Sequence, residues 1–348
     1  MIGSSTIRRS SSPQMIKLPP NPVITWAAVS LTCLVTFACG ETSQSVESVT
    51  HNADCSELRP DDTCQVTNPS MGQLWENLHA GRYDNISNTI NGLKMDLETN
   101  AEDIDAHKSI GFLRTWQLGE MYRSEQPDLG QLIQGLQEAS DHFAVALDQE
   151  NDPRLIIFKS TNEYMAAKQV GNETLEMETR RQFIDAVETW PELNYFVGGT
   201  MLSIFSQPGD GDFERALDYM WRNLDVCAGE TVSRSNPLPQ MRALIKDVPR
   251  TGVARACSNS WIAPHSFEGF WLFFGDLLTK SGDLTLARVM YEFVKTAQDY
   301  DGWRFKDVLE ERLANLEYNQ MNFRRPVAEQ DPKYHPVAEW SCTVCHQR

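Results

Sequence analysis

Apolar residues recur every three or four positions through most of the segment 70–321, and this spacing predicts a succession of amphipathic helices. Asn100, followed by Ala-Glu-Asp, is typical of a helix start, and Pro191 is tolerated at the first position of another helix. The segment 154–158 (RLIIF) fits either a short strand or part of a helix, and the rest of the sequence has no strong alternating run of β type. Clear helical patterns lie at 101–123, 129–149 and 303–319. The sequence therefore predicts an all-α fold.

A turn pattern occurs three times, at Gly81, Gly211 and Gly282, with a large apolar residue two positions after each glycine and apolar or small residues five and nine positions after it. Glycine allows the chain to reverse between two helices, and the following residues can then pack back on the first helix. The pattern resembles the tetratricopeptide repeat, and Gly275 matches the glycine of that family's first helix. The resemblance implies degenerate antiparallel helix hairpins that stack into a right-handed α-solenoid, with generic glycine-turn hairpins as the alternative. The predicted hairpins lie at 71–97, 192–226 and 267–296.

Residues 1–39 have the character of an export signal. Two arginines and a lysine precede an uncharged stretch at 23–38, which is shorter than the roughly 20 residues that a membrane-spanning helix needs. The stretch ends in Ala-Cys and resembles the lipobox of bacterial lipoproteins, which implies cleavage before Cys39 and lipidation of its thiol. An ordinary signal peptide cut nearby and a retained anchor helix are the alternatives.

The rest of the chain divides by composition into three parts. Residues 40–69 are polar and contain several turn-forming residues, which predicts a flexible tether. The helical pattern occupies 70–321, the predicted helical-repeat domain. Three prolines after residue 325 forbid a long helix, so 322–348 is predicted to be an irregular C-terminal tail.

The charge of the chain limits its partners. The formal net charge is −17, and removal of residues 1–38 leaves 28 Lys+Arg against 48 Asp+Glu, a net charge of −20. Such a surface repels nucleic acids and anionic lipid headgroups. We expect a protein of the periplasm or cell surface that binds no nucleic acid and meets the membrane only through the lipid on Cys39.

Four of the eight cysteines remain after the signal region and the C-terminal motif are set aside: Cys55, Cys64, Cys227 and Cys257. An exported chain meets an oxidising compartment, where this even number is typical of two disulfides. Four cysteines allow three pairings. The local one, Cys55–Cys64 with Cys227–Cys257, is our preferred prediction.

The chain ends in Cys342-Thr-Val-Cys345-His346, followed by two residues. Two thiols separated by two residues match the two vinyl groups of haem, and the adjacent histidine can bind the iron. The motif resembles that of c-type cytochromes, which implies a covalent haem c on Cys342 and Cys345 with His346 as iron ligand. A disulfide or thiol pair, or another metal, are the alternatives.

The position of the motif departs from small soluble cytochromes c, in which a long downstream segment supplies the second axial ligand. Here that ligand has to come from upstream or from another chain, and the candidates are His335, His265 and Met321. No phosphate loop, nucleophile elbow or zinc-protease motif is present, and no acid–base pair can be named. An enzyme therefore has the least support.

Two functions fit these observations. The first is an extracytoplasmic c-type haem protein that transfers electrons to a protein partner docked on the helical repeats. The alternative is a non-haem lipoprotein adaptor that holds a complex together through its repeats.

Overall fold

The computed structural model describes residues 69–78, 82–122, 128–244, 256–257, 262–263, 265–338 and 341–346. These residues form fourteen α-helices and no β-strand, which confirms the predicted all-α class. None of the described helices is long and apolar enough to cross a membrane. The predicted export signal, the tether, Gly81 and the cysteines at 39, 55 and 64 lie outside the described residues.

The bounds of the helices are given in chain order. They are α1 Pro69–Leu78, α2 Ile86–Thr99, α3 Ile104–Tyr122, α4 Leu129–Leu147, α5 Pro153–Val170, α6 Glu173–Thr189, α7 Pro191–Phe205, α8 Gly211–Ala228, α9 Leu238–Leu244, α10 Phe267–Ser281, α11 Leu284–Val294, α12 Lys306–Ala314, α13 Leu316–Asn322 and α14 Ser341–Cys345.

Most packing joins helices that are neighbours in sequence. The most extensive contacts lie between α3 and α4, α5 and α6, α4 and α5, α7 and α8, and α10 and α11. The last two pairs coincide with two predicted hairpins. In the region of the first predicted hairpin, α1 and α2 each pack more on α3 than on one another. The pairs α3–α4 and α5–α6 carry no glycine template in the sequence.

Side-chain caps define several helix starts. Asp152 accepts a hydrogen bond from the backbone N–H of Arg154 (2.9 Å), and Pro153 occupies the first helical position, so 154–158 is helical rather than a strand. The helix that was predicted to start at Asn100 begins at Ile104 instead. There Asp103 accepts from the N–H of Ala106 (2.9 Å) and is the residue that caps the helix.

Two glycines adopt the left-handed backbone that the turn pattern requires. Gly282 ends α10 with φ +103°, as predicted. Before α8 the left-handed residue is Gly209, with φ +95°, while Gly211 is already the first residue of the helix. Gly275 allows α10 to approach α11 closely. A β-carbon there would lie 3.0 Å from Cζ of Tyr291 and closer still to other atoms of that ring.

Helix α10 lies at the centre of the largest core. Every residue from Glu268 to Lys280 is buried. The core around it also includes Tyr334, Val337 and Val344, which belong to the segment predicted to be an irregular tail. This segment therefore contributes to the core of the helical domain, although it contains only single helical turns and α14.

Candidate functional site

A buried carboxylate fixes the C-terminal segment to α10. Asp276 is fully buried and accepts hydrogen bonds from Tyr291 Oη (2.6 Å), Arg312 Nε (2.9 Å) and the backbone N–H of His335 (3.0 Å). Arg312 also donates from Nη2 to the carbonyl of Lys333 (2.7 Å). Burial raises the pKa of Asp276, and the charge of Arg312 opposes that rise. The network joins α10, α11 and α12 to the segment that leads to the motif.

The amide of Gln330 stabilises the bend at the start of this segment. Its Nε2 donates to the carbonyls of Phe323 (3.2 Å) and Arg325 (2.8 Å), and its Oε1 accepts from the N–H of Tyr334 (3.1 Å). A buried amide with both ends bonded holds its neighbours in one arrangement, since each lost bond would leave a buried polar group unpaired.

The motif itself lies on α14, which packs against the start of α10. The carbonyl of Cys345 accepts from the N–H of Ser266 (2.6 Å), while the carbonyl of Val344 accepts from Ser266 Oγ (3.2 Å) and Trp303 Nε1 (3.3 Å). A β-carbon on Gly269 would lie 2.7 Å from Cα of Cys345, so the absence of a side chain at 269 permits this close contact. The three bonds satisfy carbonyls at the C-terminal end of a helix of only five residues.

Cys342 and His346 face a mainly apolar cavity of about 240 Å³. Its walls are formed by α3, α5 and α7, and include Phe112, Trp116, Phe158, Met165, Phe196 and Met201. The hydroxyl of Thr200 is buried in the wall without a hydrogen-bond partner among the described residues. Cys345 is 5 % exposed and packs against Gly269 rather than lining the cavity.

Aromatic rings surround the imidazole of His346, which is 8 % exposed. The ring of His265 lies 4.0 Å away between centroids, tilted by 55°, and the ring of Trp116 lies 4.5 Å away, edge to face at 82°. Tyr83 in turn stacks on Trp116, with centroids 4.7 Å apart and planes 9° from parallel. The imidazole is therefore held between side chains of α3 and of the segment before α10.

The three predicted second ligands have different positions. His265 lines the cavity beside His346. His335 is buried, with its ring 5.5 Å from that of Phe273, and is not among the cavity-lining residues. Met321 is 62 % exposed on α13 and does not line the cavity either. The structure thus brings only His265 together with the motif.

Sequence analysis did not identify Trp116, Met165, Thr200 or Met201. They lie on three helices that are separate in sequence, and none of them belongs to a recognisable motif. Only the packing of α3, α5 and α7 brings them to one cavity. No local signal distinguishes them from other core residues.

Cys227 and Cys257 lie at disulfide distance, with Cα atoms 4.6 Å apart. The local pairing predicted for these two cysteines is confirmed by this geometry. Among the described residues there is no group of three or more His, Cys, Asp or Glu arranged to hold a metal ion.

No protein-family model, curated protein or solved structure matches this chain.

Proposed function

We propose that this chain is an extracytoplasmic c-type haem protein that exchanges electrons with a protein partner. The observation that carries the proposal is the position of the motif. Cys342 and His346, identified from spacing alone, line one apolar cavity instead of lying on a solvent-exposed tail. Apolar walls with a few polar groups are typical of cofactor sites.

The side chains fit a covalent haem in most respects. Cys342 and Cys345 would hold it by adding each S–H across one vinyl group, so that sulfur bonds one carbon and the hydrogen goes to the other, with no oxidant needed. His346 would bind the iron. Cys345 now packs against Gly269, and a thioether at this residue requires its side chain to leave that contact.

A bound haem supplies one-electron exchange between ferrous and ferric iron. The chain's residues contribute the apolar walls, which exclude water and influence the potential of the iron. The cavity of about 240 Å³ is smaller than the roughly 300–1,000 Å³ of sites that enclose most of a drug-sized ligand. This size favours a partly exposed group, as electron exchange with a partner protein requires.

The finer architecture belongs to the same proposal. We propose that the helix pairs are degenerate tetratricopeptide-like hairpins in a right-handed α-solenoid, and that residues 1–39 direct export with lipidation at Cys39. Export supports haem attachment, because covalent haem is attached outside the cytoplasm and export would carry the chain there. The packing of helices on their sequence neighbours supports the repeat interpretation.

The test is expression of the full chain in a bacterium that has a haem-attachment pathway, followed by intact mass and a pyridine haemochrome spectrum. We expect the mass of one haem in covalent linkage, and its loss in a Cys342→Ser/Cys345→Ser variant. A Met321→Leu variant, altered at an exposed residue outside the cavity, is the matched control and should retain the haem.

A wild-type protein that matures and is exported without haem would overturn the proposal. If that haem-free protein still assembles with its partners, the adaptor function is supported instead. A loss of two hydrogens that peptide mass analysis assigns to the C-terminal peptide, separate from the loss at Cys227–Cys257, would identify a Cys342–Cys345 disulfide.

A further inference from the structure

The ring of His346 is contacted from two directions by side chains that are themselves supported. Trp116 presents its ring at 4.5 Å, and Tyr83 stacks on Trp116 from behind. Tyr83 is anchored through its hydroxyl, which donates to the carbonyl of Leu78 (3.1 Å). Rotation of Trp116 away from His346 would therefore break a stacked pair as well.

The second contact has similar support. His265 lies 4.0 Å from His346, its Nδ1 is 3.1 Å from the carbonyl of Ala263, and Phe196 contacts its ring edge-on at 5.3 Å. A backbone bond on one side and an aromatic ring on another restrict both rotation and displacement of the imidazole of His265.

We propose that Trp116 and His265 form a clamp that positions the imidazole of His346 as iron ligand, and that His265 is not itself an iron ligand. This inference rests on the proposed haem function. It assigns to His265 a role different from that of a second axial ligand, which was its role in the sequence-based prediction.

The distance between the two imidazoles decides the role of His265. If two imidazoles bound one metal ion from opposite sides through bonds of about 2.0 Å, their centroids would lie roughly 6 Å apart. The observed separation is 4.0 Å. In this arrangement the rings are too close to lie on opposite sides of one metal ion, and His265 instead contacts the imidazole of His346.

The described part of the chain offers a second histidine pair for comparison. His107 and His142 are joined between their Nδ1 atoms at 2.8 Å, and their centroids are 4.9 Å apart. His265 and His346 are nearly 1 Å closer, as expected for rings that pack on one another. Groups around a ligating histidine fix its ring orientation, and the loss of such groups typically lowers metal affinity or activity.

The test compares His265→Phe, which keeps a flat ring, with His265→Ala, which removes it. In the haem-loaded protein we expect His265→Phe to retain the wild-type absorption spectrum and potential. We expect His265→Ala and Trp116→Ala to broaden the paramagnetic-resonance signal and shift the redox equilibrium by up to about tenfold, equivalent to about 59 mV for one electron.

A haem-free readout accompanies this experiment. Diethyl pyrocarbonate modifies accessible imidazoles, and the modification rate of His346 is followed by peptide mass analysis. We expect the rate to rise several-fold in His265→Ala and Trp116→Ala, because each opens one side of the clamp. His107→Ala, which removes one ring of the other histidine pair, is the matched control and should leave the rate for His346 unchanged.

A change of spin state in His265→Phe would overturn the inference and identify His265 as an iron ligand. The inference would also be overturned if His265→Ala and Trp116→Ala left both the spectra and the modification rate of His346 unchanged. Absence of haem from the wild-type protein would contradict the proposed function, while the modification rates would still show whether the clamp exists.

Discussion

The substitution Gly269→Ala tests directly whether α14 is seated on α10. The new β-carbon would lie 2.7 Å from Cα and 3.0 Å from Cβ of Cys345. Non-bonded carbons approach to about 3.5–4.0 Å, so α14 has to move by about 1 Å. That movement strains the hydrogen bonds that Ser266 and Trp303 make to the carbonyls of α14.

The expected loss of stability combines two opposing effects. Overpacking of a tight contact costs about 1–3 kcal/mol. Replacement of a glycine inside a helix returns about 0.5–1 kcal/mol. The free energy of unfolding should therefore fall by about 1 kcal/mol, within a range of roughly 0–2.5 kcal/mol, and α14 should detach from α10 more often.

Gly92→Ala is the matched control for this experiment. Gly92 also lies inside a helix, but the nearest atom to a β-carbon there is Gln73 Oε1, at 3.9 Å. We expect this variant to gain about 0.5–1 kcal/mol, because only the glycine effect applies. The two substitutions are chemically identical and differ only in their surroundings.

Two measurements, thermal unfolding and thiol labelling, test this prediction. Thermal unfolding should show a lower Tm for Gly269→Ala, by about 1–2 °C for each kcal/mol in a protein of this size, and a higher Tm for Gly92→Ala. In haem-free protein under reducing conditions, thiol labelling mapped by peptide mass should accelerate at Cys345 only in Gly269→Ala. Equal rises in Tm for Gly269→Ala and Gly92→Ala, with unchanged labelling of Cys345, would refute the packing of α14 against α10.

Three further predictions concern buried groups. Asp276→Asn should cost about 3–5 kcal/mol in urea unfolding, since it removes the fully buried carboxylate that pairs with Arg312 and leaves only the partly exposed Glu311 beside that charge; stability equal to wild type would contradict this. Burial, aided by a neighbouring histidine, lowers the pKa of His142 to about 4 from 6.5. The unfolded chain then binds the additional proton first, so stability should decline as pH falls from 6.5 towards 4, and His142→Gln should flatten that decline in unfolding curves measured across this range. Cys227→Ser/Cys257→Ser opens a link across 30 residues and should lower stability by about 3–4 kcal/mol; equal unfolding of wild type with and without reductant would argue against the bond.

Local chemistry predicted much of the secondary structure. Periodicity and starting residues gave the all-α class, the helix that begins at Pro191 and the left-handed turn at Gly282. The predicted helix at 303–319 is instead two helices, α12 and α13. Asn315, with φ −121° and ψ 31°, interrupts them, and a single non-helical residue leaves little trace in apolar spacing.

The motif could be predicted from the sequence because its residues are adjacent in the chain. The residues around it could not, because they come from distant segments. The spacing of Cys342, Cys345 and His346 is a sequence property, so the motif could be found. Burial of the segment around it depends on Asp276 and Gln330, which look like ordinary polar residues until the fold removes them from water. The same applies to Trp116, since its contact with His346 spans most of the chain.

The contacts of α14 also affect how the molecule unfolds. Most of the described helices pack on their neighbours in sequence, and packing of this local kind lets terminal helices detach without disturbing distant ones. Helix α14 is an exception, since it packs on both α3 and α10 and so connects early and late parts of the chain. Loss of the outer pairs therefore requires the release of α14. This long-range connection makes unfolding more cooperative than the order of the helices alone would suggest.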